Sequence, residues 1–343
     1  MGNECCPIEW TEEQWNQVQE TVRSEAAKVR VAGSFLPIYG PLPCDAESVP
    51  IQEVRQEPTG ETHVLAALAN EMRRQADAGA QNLPQVLRAL EGNVRAVEHS
   101  AARRRGEAQE RLMVDDTRCR PLTKISVNVY LTSAQLCQPD LASALILFRR
   151  AANLISRVED RIVFGGQPGP DPEPRLLNIS PPIFRVSGGA QFRGLIAEAL
   201  AITPTPHCTA IPPGPNPQYI VTAVANAIAD LEEEGHLSPF ALVLGSNLFI
   251  MAHNPSPSLV LPADRIKPLL GGGPLLRSTT IPPDEGVLVS QSGELIDLVR
   301  ANDISAKYLQ TTLEPRHVFR VSQRMTLRVK QPGAIMALQP NCP

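Results

Sequence analysis

The chain has 343 residues, 43% hydrophobic and only 4% aromatic, so Leu, Val, Ile and Ala must build a core large enough to bury well over half of the unfolded surface. A formal net charge of −4 supplies no general attraction for nucleic acid or acidic membranes, and no run approaches the roughly 18 apolar residues of a membrane span. The opening MGNECCPIEW has no basic segment followed by an apolar run, and the seven cysteines form no CxxC pair, so a cytoplasmic chain with neither a disulfide framework nor a zinc knuckle is expected.

Thr11-Glu12-Glu13-Gln14 is a capping-box pattern, in which the Thr hydroxyl and the Gln side chain satisfy exposed amides at a helix start. Trp15, Val18, Val22, Ala26 and Val29 then recur at steps of three and four, which predicts a helix with one apolar stripe ending before Gly33. Ile51–Val64 and Leu122–Leu131 alternate polar and apolar residues and read as strands. Between them, Leu65–Met113 is polar and alanine-rich, with Leu83, Val86, Leu87, Leu90, Val94 and Val97 at helical spacing. Gly79 and Pro84 mark a turn, so this segment reads as a helical hairpin. Its Arg103-Arg104-Arg105 run has Glu98, Glu107 and Glu110 close by and no aromatic residue for base stacking. A solvated helix face is the reading, and nucleic acid is not an expected partner.

Asp140–Phe164 carries the strongest helical pattern, with Leu141, Leu145, Phe148, Ala152, Ile155 and Val158 in step and Gly165-Gly166 as the stop. Glu159 and Asp160 are adjacent, so they project about 100° apart and do not converge on one bond as an acid/base pair. An ion pair with Arg161 or with a neighbouring chain is expected instead. Pro168 to Pro217 contains twelve prolines, which block regular ladders and predict an extended surface loop broken by a short helix at Ile196–Ile202. Tyr219–Glu234 reads as an amphipathic helix, Phe240–Leu244 as a buried strand and Gly245–Ala252 as a short helix.

Gly271-Gly272-Gly273-Pro274 lacks the Gly-Lys-Ser/Thr of a phosphate cradle and reads as a turn. Ser246 lacks the second glycine of a nucleophile elbow. His253 has no second His, Cys or carboxylate at ligand spacing, so neither a metal nor a catalytic residue is expected. Val287–Val289, Leu295–Val299, Ile304–Leu309, Val318–Leu327 and Ala334–Leu338 form a closing series of short strands separated by Gly, Asn-Asp and Pro turns.

Three stretches together resemble one family: Arg150–Gly166 (RAANLISRVEDRIVFGG), Phe240–Leu276 (FALVLGSNLFIMAHNPSPSLVLPADRIKPLLGGGPLL) and Asn302–Leu309 (NDISAKYL). In this order they are similar to encapsulin shell proteins. The resemblance implies an α+β fold like that of tailed-phage major capsid proteins, with an N-terminal helix, an extended arm loop, a spine-helix domain and an axial domain. It lays the chain out as an N-terminal helix and arm over 1–37 and an extended loop over 38–131, with the 65–113 insert inside it. The spine helix follows over 132–166, the axial domain over 167–285 with the proline-rich 168–217 insert, and C-terminal strands over 286–343. Neither insert belongs to the family pattern.

The resemblance also implies an icosahedral homo-oligomer that encloses a cargo enzyme bearing a targeting peptide. The cargo groove would fall on Val22, Ala26 and Val29 of the first helix with Ile304, Ala306 and Tyr308 of a late strand, although ordinary core packing explains each of these residues equally well. A pore loop would fall on His253–Pro262, with His253, Asn254, Pro255, Ser256, Pro257 and Ser258 as its candidates. No cofactor is expected: the flavin known in the family needs aromatic residues where this chain carries its aromatic-free insert. Two other readings stand beside this one, a phage or prophage major capsid protein packaging DNA and a protease- or bacteriocin-type enzyme.

Overall fold

The computed structural model describes residues 10–43, 45–58, 110–167, 177, 183–214, 216–255, 260–314 and 316–342. They belong to two compact units, Met1–Ile51 with Thr117–Pro343, and Gln52–Asp116. In the larger unit, helix α1 (Glu12–Val29) starts on the expected capping box: the Gln14 amide donates to Thr11 Oγ1 at 3.2 Å, and the Thr11 amide donates to Gln14 Oε1 at 3.0 Å. Its stripe buries Val18, Val22 and Ala26 against the spine helix α4 (Ala142–Gly165), and a short helix α2 (Ala32–Phe35) follows.

A first five-stranded sheet runs in the order β1 (Ile38–Tyr39), β12 (Ile296–Thr311), β13 (Arg316–Val329), β6 (Thr123–Thr132) and β7 (Phe184–Gly188). Helices α1 and α4 pack on it, and Phe148, Phe164 and Phe319 are among the largest side chains that the resulting core seals from water. Short α3 (Ser133–Leu136) ends β6. Strands β2 (Ser48–Pro50) and β5 (Cys119–Pro121) pair antiparallel in the same unit.

A second sheet runs in the order β10 (Leu275–Arg277), β9 (Phe240–Leu244), β11 (Gly286–Ser290), β14 (Ile335–Gln339) and β8 (Cys208–Ala210). Period-two geometry decides what it touches. Phe240, Leu242 and Leu244 of β9 face a core shared with α6 (Gln218–Glu233), α7 (Ser246–His253) and α8 (Pro262–Leu269), whereas Ala241 and Val243 belong to the core of the first sheet. Both faces are therefore covered, which is why β9 reads as an unbroken apolar run with no alternation. Helix α5 (Leu195–Leu200) lies against β14. The triple glycine is the expected turn between α8 and β10. A Cβ on Gly273 would meet the Phe240 carbonyl oxygen at 1.9 Å, so only glycine fits so close an approach.

The smaller unit holds an antiparallel ribbon of β3 (Glu53–Pro58) and β4 (Glu110–Asp115), in which Leu112, Met113 and Val114 are all exposed. This corrects the expected arm. The partner of the first arm strand is β4, whereas Leu122–Leu131 forms most of β6, a strand with neighbours on both sides in the first sheet. Alternation identified both strands but cannot say which one pairs with which. The helical hairpin expected within 65–113 lies outside the described residues, except that its last residues are strand β4.

Other expectations are also revised. The Asn302-Asp303 turn does not form: β12 runs through it, absorbing the irregularity as register shifts against β13 at Arg300/Asn302 and Asn302/Ser305. The proline-rich excursion contributes β7 and β8 to the two sheets, because its prolines flank the short proline-free runs that pair. Cys208 and Cys342 form a disulfide with a Cα–Cα distance of 5.7 Å, although spacing predicted none. They are 134 residues apart and meet only through the β8–β14 pairing.

Replacing Leu242, fully buried on β9, by Ala should lower the unfolding free energy by about 2–5 kcal/mol. Urea denaturation should show this as a lower midpoint at an unchanged slope.

Candidate functional site

Helix α1 and strand β12 form one wall of the larger unit. The Gln19 side chain is its main polar tie: Nε2 donates to the Ala306 carbonyl at 2.7 Å, and Oε1 accepts from the Ala306 amide at 3.1 Å. It thus occupies the backbone groups that a neighbouring strand would use. Strand β1 covers β12 only at Leu298 and Val299, so beyond this point α1 takes the place of a strand along that edge. An aromatic cluster seals one end. Trp10 stacks on Phe319 with centroids 4.8 Å apart, Trp15 meets Trp10 edge-on at 5.0 Å, and the half-exposed Tyr308 meets Phe319 edge-on at 5.5 Å.

At the other end two adjacent carboxylates of the spine helix clamp the α1–α2 junction. Glu159 is fully buried; its Oε1 accepts from Arg300 Nη2 of β12 at 2.7 Å, and its Oε2 lies 3.2 Å from Nε of Arg30. Gln323 of β13 bridges the group, donating to Glu159 and accepting from Arg30. Asp160 accepts from the Val31 amide at 3.0 Å and the Ala32 amide at 2.8 Å, capping α2, which has no side-chain cap of its own. Arg161, the expected partner, instead donates to the Thr280 carbonyl at 2.8 Å. Two residues apart on a helix, Glu159 and Arg161 do not face each other. Burial, followed by the charge of Glu159, raises the Asp160 carboxyl to about 7, against the opposing pull of the Ala32 and Val31 amides and Arg30.

The candidate pore loop begins at the C-terminus of α7. His253 is exposed; its Nδ1 lies 2.8 Å from the Phe249 carbonyl, and its ring packs on Phe249 with centroids 4.2 Å apart. Asn254 and Pro255 are exposed, and Ser256, Pro257 and Ser258 lie outside the described residues. Among the described residues, no group of three or more His, Cys, Asp or Glu side chains is placed to hold a metal ion, and no helix is long and apolar enough to cross a membrane.

The family Linocin_M18, described as encapsulating protein for peroxidase, matches residues 183–326. The type 1 encapsulin shell protein EncA of Myxococcus xanthus is 27% identical over 330 residues, which is 96% of this chain and 93% of the relative. The chain is similar to encapsulin shell proteins along nearly its whole length. Solved structures agree on the fold. The virus-like particle from Pyrococcus furiosus matches with a TM-score of 0.60 at 13% identity, over 96% of this chain and 100% of that one. Mycobacterium phage Bobi gives 0.53 at 12% identity over 91% and 90%. The tailed-phage capsid fold expected from the sequence is the observed one.

The six groove candidates divide by burial. Val22, Ala26 and Ile304 are 0% exposed and Ala306 is 2% exposed, so their side chains face the core. Val29 is partly exposed and Tyr308 is 38% exposed. The structure thus brings α1 and β12 together, with Val29 and Tyr308 the candidates that keep part of their surface exposed. Gln19 and the Arg30–Glu159 clamp were missed from sequence. A glutamine on the edge of an apolar stripe carries no local signal of the strand it will cap.

Replacing Glu159 by Ala leaves Arg30 and Arg300 buried without their shared carboxylate and should cost about 3–5 kcal/mol, measurable by denaturation followed through Trp10 and Trp15 fluorescence. Asp160 makes stability depend on pH. Its folded-state value lies above the ordinary carboxyl value of 3.8, so its contribution is complete below about pH 4 and is lost as pH rises to about 7. Asp160→Asn should flatten that segment of the stability profile.

Proposed function

We propose that this chain is the self-assembling subunit of a closed icosahedral shell that encloses a cargo enzyme, with a structural role and no catalytic one. The observation that carries the reading is the match to a shell protein along 96% of the chain, combined with a fold whose buried polar cluster around Glu159 and Asp160 serves packing. Such a subunit closes a shell through repeated symmetric contacts. The exposed apolar run on the β3–β4 ribbon, Leu112 to Val114, is surface that a neighbouring copy would cover.

In this reading the cargo's targeting peptide lies along the α1–β12 wall. Val29 and Tyr308 touch it, while Val22, Ala26, Ile304 and Ala306 hold the wall in shape from beneath. Each such contact is weak, and the many equivalent sites of one shell make capture effective. The loop from His253 to Pro262 borders an opening through which small molecules pass.

Negative-stain electron microscopy of the purified protein should show uniform closed particles; a small monodisperse oligomer would overturn the shell assignment. Tyr308→Ala and Val29→Glu should leave particles intact while lowering co-purified cargo about tenfold, roughly 1.4 kcal/mol per site. Unchanged cargo would remove the wall from the proposal. Val22→Glu should prevent folding altogether, which separates wall contact from wall support.

A further inference from the structure

The disulfide sits at the weakest edge of the second sheet. Strand β8 is three residues long, pairs in parallel with β14 at Ala337, Leu338 and Gln339, and has no fully buried side chain. Two backbone hydrogen bonds flank the ladder: the Ala337 amide donates to the His207 carbonyl at 2.9 Å, and the Ile211 amide donates to the Gln339 carbonyl at 2.8 Å. Beside them His207 Nε2 lies 2.9 Å from Glu234 Oε1, and Ile211 is buried in the second core. After Gln339 the chain bends through Pro340 and Asn341, and Cys342 turns back to bond Cys208, whose ladder partner is Ala337. The three strand residues themselves contribute little burial, and the bond to Cys208 ties the segment after Gln339 to the sheet edge. The rest of the sheet does not depend on it, because β14 also pairs with β11 and both strands are almost wholly buried.

We propose that Cys208–Cys342 is a thiol-exchange site, and that its reduction releases β8 and the C-terminal segment without unfolding the sheet. Both cysteines are partly exposed, within reach of a small thiol reductant. A thiolate of a dithiol attacks one sulfur, the S–S bond breaks, and the other cysteine leaves as a thiolate that takes up a proton. The dithiol's second thiol then displaces the first cysteine, giving two cysteine thiols and the cyclic disulfide of the reductant. A small-molecule disulfide reverses the sequence. Cys119 and Cys137 are exposed free thiols on other elements and serve as internal references.

The test uses the full-length protein, purified without reductant, alkylated with iodoacetamide and peptide-mapped before and after dithiothreitol. Cys119 and Cys137 should alkylate in both samples, and Cys208 and Cys342 only after reduction. Hydrogen exchange should then speed at least tenfold at the Ile211 and Ala337 amides, while Val243 and Leu288 stay protected. Cys342→Ser should show the fast pattern with or without dithiothreitol. Alkylation of Cys208 and Cys342 in the unreduced sample would show that no bridge forms. A bridge that is cut while exchange at Ile211 and Ala337 stays unchanged would make it a passive staple. Both results overturn the proposal, and neither depends on a variant that must fold.

Discussion

Glu159 and Asp160 set the constraint on which the larger unit depends. A helix can present two neighbouring carboxylates to the interior only if each finds its own partner, because two unpartnered charges there would be far too costly. The chain meets this with two different devices. Glu159 takes two guanidinium groups, Arg30 and Arg300, which reach it from α1 and β12. Asp160 takes backbone amides at the start of α2. The α1–α2 junction and β12 are thereby fixed at one point of the spine helix, and the path of the chain from α1 into β1 follows from it.

The second sheet shows a complementary economy. Alternate residues of β9 serve two cores, so a single strand joins the helices α6 to α8 on one side to the first sheet's core on the other. A rearrangement in either core must pass through Phe240–Leu244, which has no exposed face to accommodate it. In the proposed shell role this would make the larger unit a stiff building block and leave compliance to its edges.

Much of this was legible in the chain. The capping box at Thr11, the stripe of α1, the spine helix, the buried strand at Phe240 and the glycine turn at Gly271 are encoded locally, in periodicity and turn chemistry, and each formed where expected. What sequence could not supply was pairing. The arm partner at Glu110–Asp115, the continuity of β12 through Asn302 and the meeting of Cys208 with Cys342 all depend on which strands lie side by side. The groove candidates show the same limit. An apolar residue on α1 has the same signature whether it faces a peptide or Phe319, and burial alone separates Val22 from Val29.

The exposed Leu112-Met113-Val114 run bears on how the protein must be made. Three successive apolar side chains on a two-stranded ribbon are adhesive wherever two free chains collide, and the collision rate rises with the square of their concentration. Under the proposed shell function, synthesis of the chain is therefore a race between orderly addition to a growing particle and indiscriminate clumping. Slow, steady translation favours the first, and a burst of overproduction favours the second.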